Sequence, residues 1–432
     1  MFVLRVLSLA LATALPSLAA ACEDGSSGRC VALDGAGELQ LDASLRLRGM
    51  YYDPNRFGIG GSEDGYGLLR ALASAAARRG AWDGMVQLGV HAEQGRKGGP
   101  GGTDRGALDL QQGYVRWQGE RLGWQLGRQE AAYGSSRLLS VRDGPNIRLA
   151  FDGVRGRWQR RGITLDLIAL RPVDNRSGAF DDPSDRGQFL VGSYATWQHG
   201  RPGNGLDLYL LGYGRDDAHF ATASGDERRR SLGARWFASH PRWDSNIEGV
   251  AQRGTLSRAQ DALAIRAWTL ASDSGVRWPA RRWQPRLGLK LDIASGDRDA
   301  HDGRLGTFNA LYPKSAYFSE ASLLAPANLV DVQPTLTLSP RAGLSTEIGW
   351  QLAWKHRRSD AVYTTPAPLA AVPGTAGTSR RIGQQYKWET TWQASDHWTW
   401  KGQLAWFDAG PGLREAGGSD TLFASVVGAW QW

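Results

Sequence analysis

The feature that most constrains this chain is a side-chain alternation of period two, repeated along most of its length. From residue 286 to 293, Leu287, Leu289, Leu291 and Ile293 share one face, and Arg286, Gly288, Lys290 and Asp292 share the other. Further on, Ile348, Trp350, Leu352 and Trp354 oppose Glu347, Gly349, Gln351 and Lys355. Ile382, Tyr386, Trp388 and Trp392 oppose Arg381, Gly383, Lys387 and Glu389. Leu206, Leu208 and Leu210 oppose Asp207 and Tyr209; Arg155 and Arg157 oppose Val154 and Trp158; Arg235 falls opposite Trp236. Successive side chains point to opposite sides only in a β-strand, so the pattern predicts an all-β protein with one apolar and one polar face.

A soluble sandwich and an outer-membrane barrel give the same alternation, because either water or a lumen can face the polar side. Three features select the barrel. Tryptophan and tyrosine recur near strand ends, as aromatic girdles require, and there are 19 tryptophans. Isolated glycines sit on the polar face, and glycine is 56 of 432 residues. The sequence closes on Val426-Val-Gly-Ala-Trp-Gln-Trp432, which places Val426, Gly428, Trp430 and Trp432 on one face. That closing strand resembles the signal read by the bacterial barrel-assembly machinery, an expected partner. Apart from the N-terminus, no apolar run reaches the roughly 18–20 residues of a spanning helix.

Residues 1–21 read as a secretory signal peptide, with Arg5 before the apolar run Val6–Leu15, Pro16 as breaker and Ala19–Ala21 for cleavage. Residues 22–35 then form a periplasmic segment, and 36–432 the barrel. At about 22 residues per strand with its share of turn and loop, the mature chain yields about 18 antiparallel strands, with 16 also compatible. Short periplasmic turns and longer extracellular loops are expected, the long ones at 95–105, 174–186, 298–328, 364–378 and 408–420. The chain's only cysteines, Cys22 and Cys30, are placed for a small disulfide loop in an oxidising compartment, with lipidation at Cys22 as the rival reading.

The basic side chains are 51 against 43 acidic ones, a net +8, and only six of the 51 are lysine. Parity places Arg155, Arg157, Arg235, Arg286, Lys290, Lys355, Arg381 and Lys387 on the lumen face, with Asp292, Glu347 and Glu389 among them. Guanidinium groups match planar carboxylates in fork geometry, and rings of Arg or Lys select anions in pores. The cluster Arg142-Asp-Gly-Pro-Asn146 reads as a turn, either a plain hairpin or a loop folded toward the pore. Asp297, Asp299 and Asp302 are weak calcium candidates, since their spacing does not fit an EF-hand loop. None of the seven histidines sits in a hydrolase motif, and no HExxH or CxxC is present, so an enzyme is not expected, nor a cofactor or a nucleic-acid partner.

Several stretches resemble the alginate-export family of outer-membrane proteins. They are Leu108-Asp-Leu-Gln-Gln-Gly-Tyr-Val115, Gly127-Arg-Gln-Glu130 with Tyr133-Gly134, Arg142-Asp-Gly-Pro-Asn146, Phe151-Asp-Gly-Val-Arg155, Arg171-Pro-Val-Asp-Asn175, Asp292-Ile-Ala-Ser-Gly-Asp-Arg-Asp299 and Gly306-Thr-Phe-Asn-Ala-Leu-Tyr-Pro313. The resemblance implies an 18-stranded monomeric barrel whose arginine-lined constriction passes a polyuronate outward, served by periplasmic export components. It adds Arg128, Glu130, Arg142 and Asp152 to the expected pore-lining set. Parity leaves Arg128 and Glu130 ambiguous, because Trp124 and Leu126 share their face. Outer-membrane lipid and lipopolysaccharide would surround such a barrel. Passage of small organic acids or oligosaccharides is the alternative cargo, and a plugged structural or adhesion barrel the alternative class.

Overall fold

A computed structural model describes residues 30–33, 37–365 and 369–432. The expected signal peptide and Cys22 lie outside the described residues, and the described ones hold no free cysteine. Eighteen antiparallel strands close into a barrel, which decides against sixteen. They are β1 (Gly37–Asp53), β2 (Asp64–Arg79), β3 (Trp82–Gln94), β4 (Gly106–Gln118), β5 (Leu122–Gln129), β6 (Phe151–Arg160), β7 (Ile163–Pro172), β8 (Gln188–Gln198) and β9 (Gly205–His219). The second half comprises β10 (Ser224–His240), β11 (Trp243–Ser257), β12 (Ala262–Arg277), β13 (Arg286–Ala294), β14 (Leu329–Arg341), β15 (Leu344–Lys355), β16 (Arg381–Gln393), β17 (Trp398–Ala409) and β18 (Thr421–Gln431). Each pairs with its neighbour in sequence, and β1 meets β18 in a register running from Ser44 opposite Gln431 to Asp53 opposite Leu422. Closure satisfies backbone groups that lipid could not.

The alternation sorts the two faces as expected. Leu287, Leu289, Leu291, Ile348 and Trp350 are exposed on the outside, whereas Asp292, Gln351 and Lys355 are buried inside. Lumen glycine serves packing here. Tyr209 lies across Gly233 on the adjacent strand, and a Cβ at Gly233 would fall 2.1 Å from the tyrosine ring. Trp82, Trp243, Trp398 and Trp400 crowd the outer face near the short turns, with Trp82 and Trp124 edge to face at 5.4 Å.

The opposite end carries the long connections, and three expectations need extending. The segment 130–150 leaves the wall after β5 and folds into the lumen, so that 142–146 is part of an inward loop, the second of its two expected readings, and not a plain hairpin. The segment 306–328 also folds inward and meets it: Leu139 bridges Tyr312 in parallel, and Tyr312 N donates to Leu138 O at 2.9 Å. Two apolar clusters anchor these loops. One packs Leu138, Leu139, Leu311 and Tyr312 against Phe151, Tyr194, Tyr209 and Tyr213. The other packs Phe318, Leu323 and Leu324 against Tyr52, Phe407 and Phe423, together with Val362, Val372 and Leu413 from the neighbouring loops. Because β5 is short, the upper part of β4 is paired with β3 but has no strand on its other side. The loop 173–187 covers that edge, with Ala107 N bonded to Gly178 O and Phe180 N to Leu108 O.

Candidate functional site

The lumen wall divides into two arcs. From β6 to β12 it is tyrosine-rich, and most of its charges stand in separate pairs. Arg157 grips Asp166 through two bonds of 2.7 Å. Arg235 pairs with Asp207 at 2.6 Å, and Tyr194 Oη donates to the same carboxylate. Arg229 pairs with Glu227 where both side chains are fully buried. Glu248 accepts from Tyr209 Oη at 2.7 Å and from Arg137 at 3.1 Å, and Arg137 belongs to the first inward loop. Tyr133, Tyr194 and Tyr209 stack in a row, with centroids 4.7 and 5.0 Å apart.

The second arc, from β13 through β18 to β2, is built differently. Arg70 reaches Asp143 of the first inward loop at 2.6 Å, and Arg46 binds the carbonyls of Asp143 and Pro145. Arg48 binds Gly144 O at 2.7 Å and Glu320 of the second inward loop at 3.0 Å. Lys401 lies between Glu320 at 2.7 Å and Glu389 at 3.2 Å. Lys387 and Lys290 share Glu347 at 2.9 and 3.7 Å. This network joins Arg46, Arg48, Arg70, Lys290, Lys387 and Lys401 to only four carboxylates, Asp143, Glu320, Glu347 and Glu389. Asp292 and Asp331 face each other behind it, held by Tyr317 Oη at 2.9 Å and Gln351 Nε2 at 2.7 Å.

Two loop groups open onto the remaining lumen. The Asp143 side chain is 63% exposed despite its arginine partners. Its burial within the barrel would raise the carboxyl pKa, but Arg70, Arg46 and Arg148 outweigh that and hold it low. Lys314 is exposed, makes no ion pair among the described residues, and stands 5.9 Å over the Tyr317 ring. Desolvation of the ammonium by the surrounding barrel, and then repulsion from Lys290 and Arg137, lower its pKa to about 8.

The expected site residues fall into three groups. Lys290, Asp292 and Lys387 lie on the second arc's lumen face. Arg286 does so near the turn end, bound to Asp244 and Asp273. Arg155, Arg157 and Arg235 also face the lumen, but Arg155 is covered, 5% exposed and bonded to Gln125 at 2.9 Å. Glu130 lies at the root of the first inward loop, bound by Arg148 and Gln111, and burial raises its pKa. Arg142 and Lys355 are struts. Arg142 binds Leu311 O and Pro313 O across the two inward loops, and Lys355 Nζ binds Arg358 O, Thr375 O and Thr378 Oγ1 beneath the loop 356–380.

Three expectations are corrected. Arg381 pairs with outward-facing Trp354, because a bulge turns Ile382 into the interior and reverses the parity on the N-terminal side of Gly383. Arg128 and Asp152 stand on the outer face, bonded to each other at 2.8 and 2.9 Å and, through Arg128, to the loop carbonyl of Asp182. Asp297, Asp299 and Asp302 do not converge: Asp297 binds Gly306 N, while Asp299 turns to His301. Sequence reasoning missed Arg46, Arg48, Arg70 and Lys401, although Leu45-Arg46-Leu47-Arg48 carries the same alternation. Asp143, Lys314 and Glu320 lie in aperiodic loops, where alternation carries no signal.

A closed 18-stranded barrel, apolar outside and charged within, defines an outer-membrane β-barrel of the channel type. Residues 38–427 match the model of the alginate export family, and the chain belongs to that family. Among solved structures, the fold is similar to that of Pseudomonas aeruginosa OpdK with vanillate, at a TM-score of 0.59 and 11% identity over 91% of this chain and 98% of that one. It is similar also to P. aeruginosa OccK2 (OpdF) in complex with glucuronate, at 0.58 and 13% over 90% and 97%. A third is P. aeruginosa OccK8 (OprE), at 0.59 and 10% over 91% and 98%. No curated protein matches the sequence.

Proposed function

We propose that the protein is a passive, anion-selective channel for an alginate-like polyuronate, and that the anions move along the second arc. The observation that carries this is the network in which six cations share four carboxylates, beside an exposed, unpaired Lys314. Full neutralisation would leave nothing for a passing carboxylate, and isolated cations would trap it. A chain of half-satisfied guanidinium and ammonium groups offers attraction at each step while the acids hold the side chains in place. The family is named for alginate export, a polymer with one carboxylate per sugar, and this supports a uronate as cargo. No bond in the cargo needs to be made or broken, so the reading requires no enzyme.

Single-channel recording of the purified protein tests it. Short oligouronates should block the current reversibly, while neutral oligosaccharides of equal length block it at least tenfold less well, as one lost charge-assisted contact predicts. Equal block by both would refute the reading, and absence of any conductance would favour a plugged structural barrel.

A further inference from the structure

The seam between the loop 173–187 and the unpaired edge of β4 gathers three carboxylates. Asp109 comes from β4, Asp181 and Asp182 from the loop, and one oxygen of each lies within 4.8 Å of the others. They are the one such grouping of acidic, His or Cys side chains among the described residues. Asp109 is 5% exposed and its Oδ2 accepts no hydrogen bond; Oδ1 of Asp181 is likewise buried and unpartnered. A buried carboxylate oxygen without a partner is costly, which points to a missing ligand of positive charge.

The neighbouring polar groups donate to neither of these two oxygens. Asp181 N donates to Asp109 Oδ1 at 3.2 Å, and Arg176 N to Asp182 Oδ1 at 2.6 Å. Arg128 is committed to both oxygens of Asp152 and to the carbonyls of Leu110 and Asp182. At Gly178 a Cβ would lie 2.4 Å from Asp181 Oδ2, so the absence of a side chain there leaves the carboxylate its place in the cluster.

We propose that Asp109, Asp181 and Asp182 bind a calcium ion that clamps the loop 173–187 onto β4. The donors are all hard oxygens, which suit calcium over zinc. They come from a strand and an irregular loop, and calcium tolerates variable geometry where magnesium demands a near-ideal octahedron. The ion closes the notch that short β5 leaves in the wall. This site is independent of the conduction reading, since none of its residues faces the second arc.

The test uses full-length protein in detergent micelles free of lipopolysaccharide, stripped with EGTA and titrated with calcium chloride by calorimetry. One saturable site with a Kd of about 0.1–1 mM is expected, the range of extracellular calcium modules, with magnesium at least about tenfold weaker. Calcium should also slow tryptic cleavage at Arg176 and Arg186 within the loop. The double variant Asp109→Asn/Asp181→Asn should lose both effects while keeping its heat-modifiable folded band. If it fails to fold, Asp182→Asn alone should weaken binding several-fold. Absence of saturable binding in the wild type up to about 10 mM calcium, equal affinity for magnesium, or unchanged binding in the variants would overturn the proposal.

Discussion

The two arcs of the lumen wall use the same chemistry toward different ends. Between β6 and β12, Arg157, Arg229, Arg235 and Arg137 each hold one carboxylate, and the hydroxyls of Tyr133, Tyr194 and Tyr209 donate to three of those carboxylates. Between β13 and β2, Glu320 is divided between Arg48 and Lys401, and Glu347 between Lys387 and Lys290. The lysines underline the contrast. Of the six in the chain, Lys290, Lys314, Lys355, Lys387 and Lys401 lie on the second arc or in the loops against it. Matched buried pairs fix a wall, because removing one partner strands a charge in a poor solvent for it. Shared pairs, whose carboxylates are the more exposed, leave attraction over for a mobile anion.

The largest expected effect comes from unmatching the first arc. Asp207→Ala leaves the Arg235 guanidinium and Tyr194 hydroxyl without their acceptor, and should lower stability by about 3–5 kcal/mol. Glu320→Ala should cost only about 1–2 kcal/mol, since Arg48 keeps Gly144 O and Lys401 keeps Glu389. Urea midpoints of the refolded proteins measure both, and equal losses would erase the distinction between the arcs.

Next in size is a pH effect. The Lys314 ammonium has its pKa lowered from the ordinary lysine value to about 8, so its charge is present at about pH 6 and mostly gone at about pH 9. Anion preference should therefore fall as pH rises through 8 in the wild type. Lys314→Arg, which stays charged throughout, should flatten that decline. A flat wild-type profile would remove Lys314 from the path.

Asp143 gives the smallest effect. Its lowered pKa means that the tether to Arg70 is present above the ordinary carboxylate range and is lost only as pH falls through the lowered value. Current noise from the first inward loop should stay low at about pH 5. Asp143→Asn should show raised noise already at neutral pH.

Much of the wall was legible in the sequence because a strand's period of two assigns each side chain to lipid or lumen. Leu287 against Lys290 and Ile348 against Gln351 follow that rule without exception. It failed at Arg381, where an extra residue at Ile382 shifts the count, a local event that composition does not announce. The inward loops were less legible. The turn at 142–146 was visible, but its burial depends on Leu311 and Pro313, far away in sequence. Asp143, Lys314 and Glu320 depend on tertiary contacts alone, and the trio at Asp109 depends on where β5 happens to end.

The most direct test of an anion path along the second arc is the reversal potential under a potassium chloride gradient, measured for matched charge removals. Wild type should prefer chloride. Arg48→Gln/Lys401→Gln should reduce that preference several-fold, as expected when two charges leave a pore lining. Arg157→Gln/Asp166→Asn, which removes one matched pair from the first arc, should leave it nearly unchanged. A cation-selective wild type, or a loss of selectivity in the Arg157/Asp166 variant as large as in the Arg48/Lys401 variant, would contradict it.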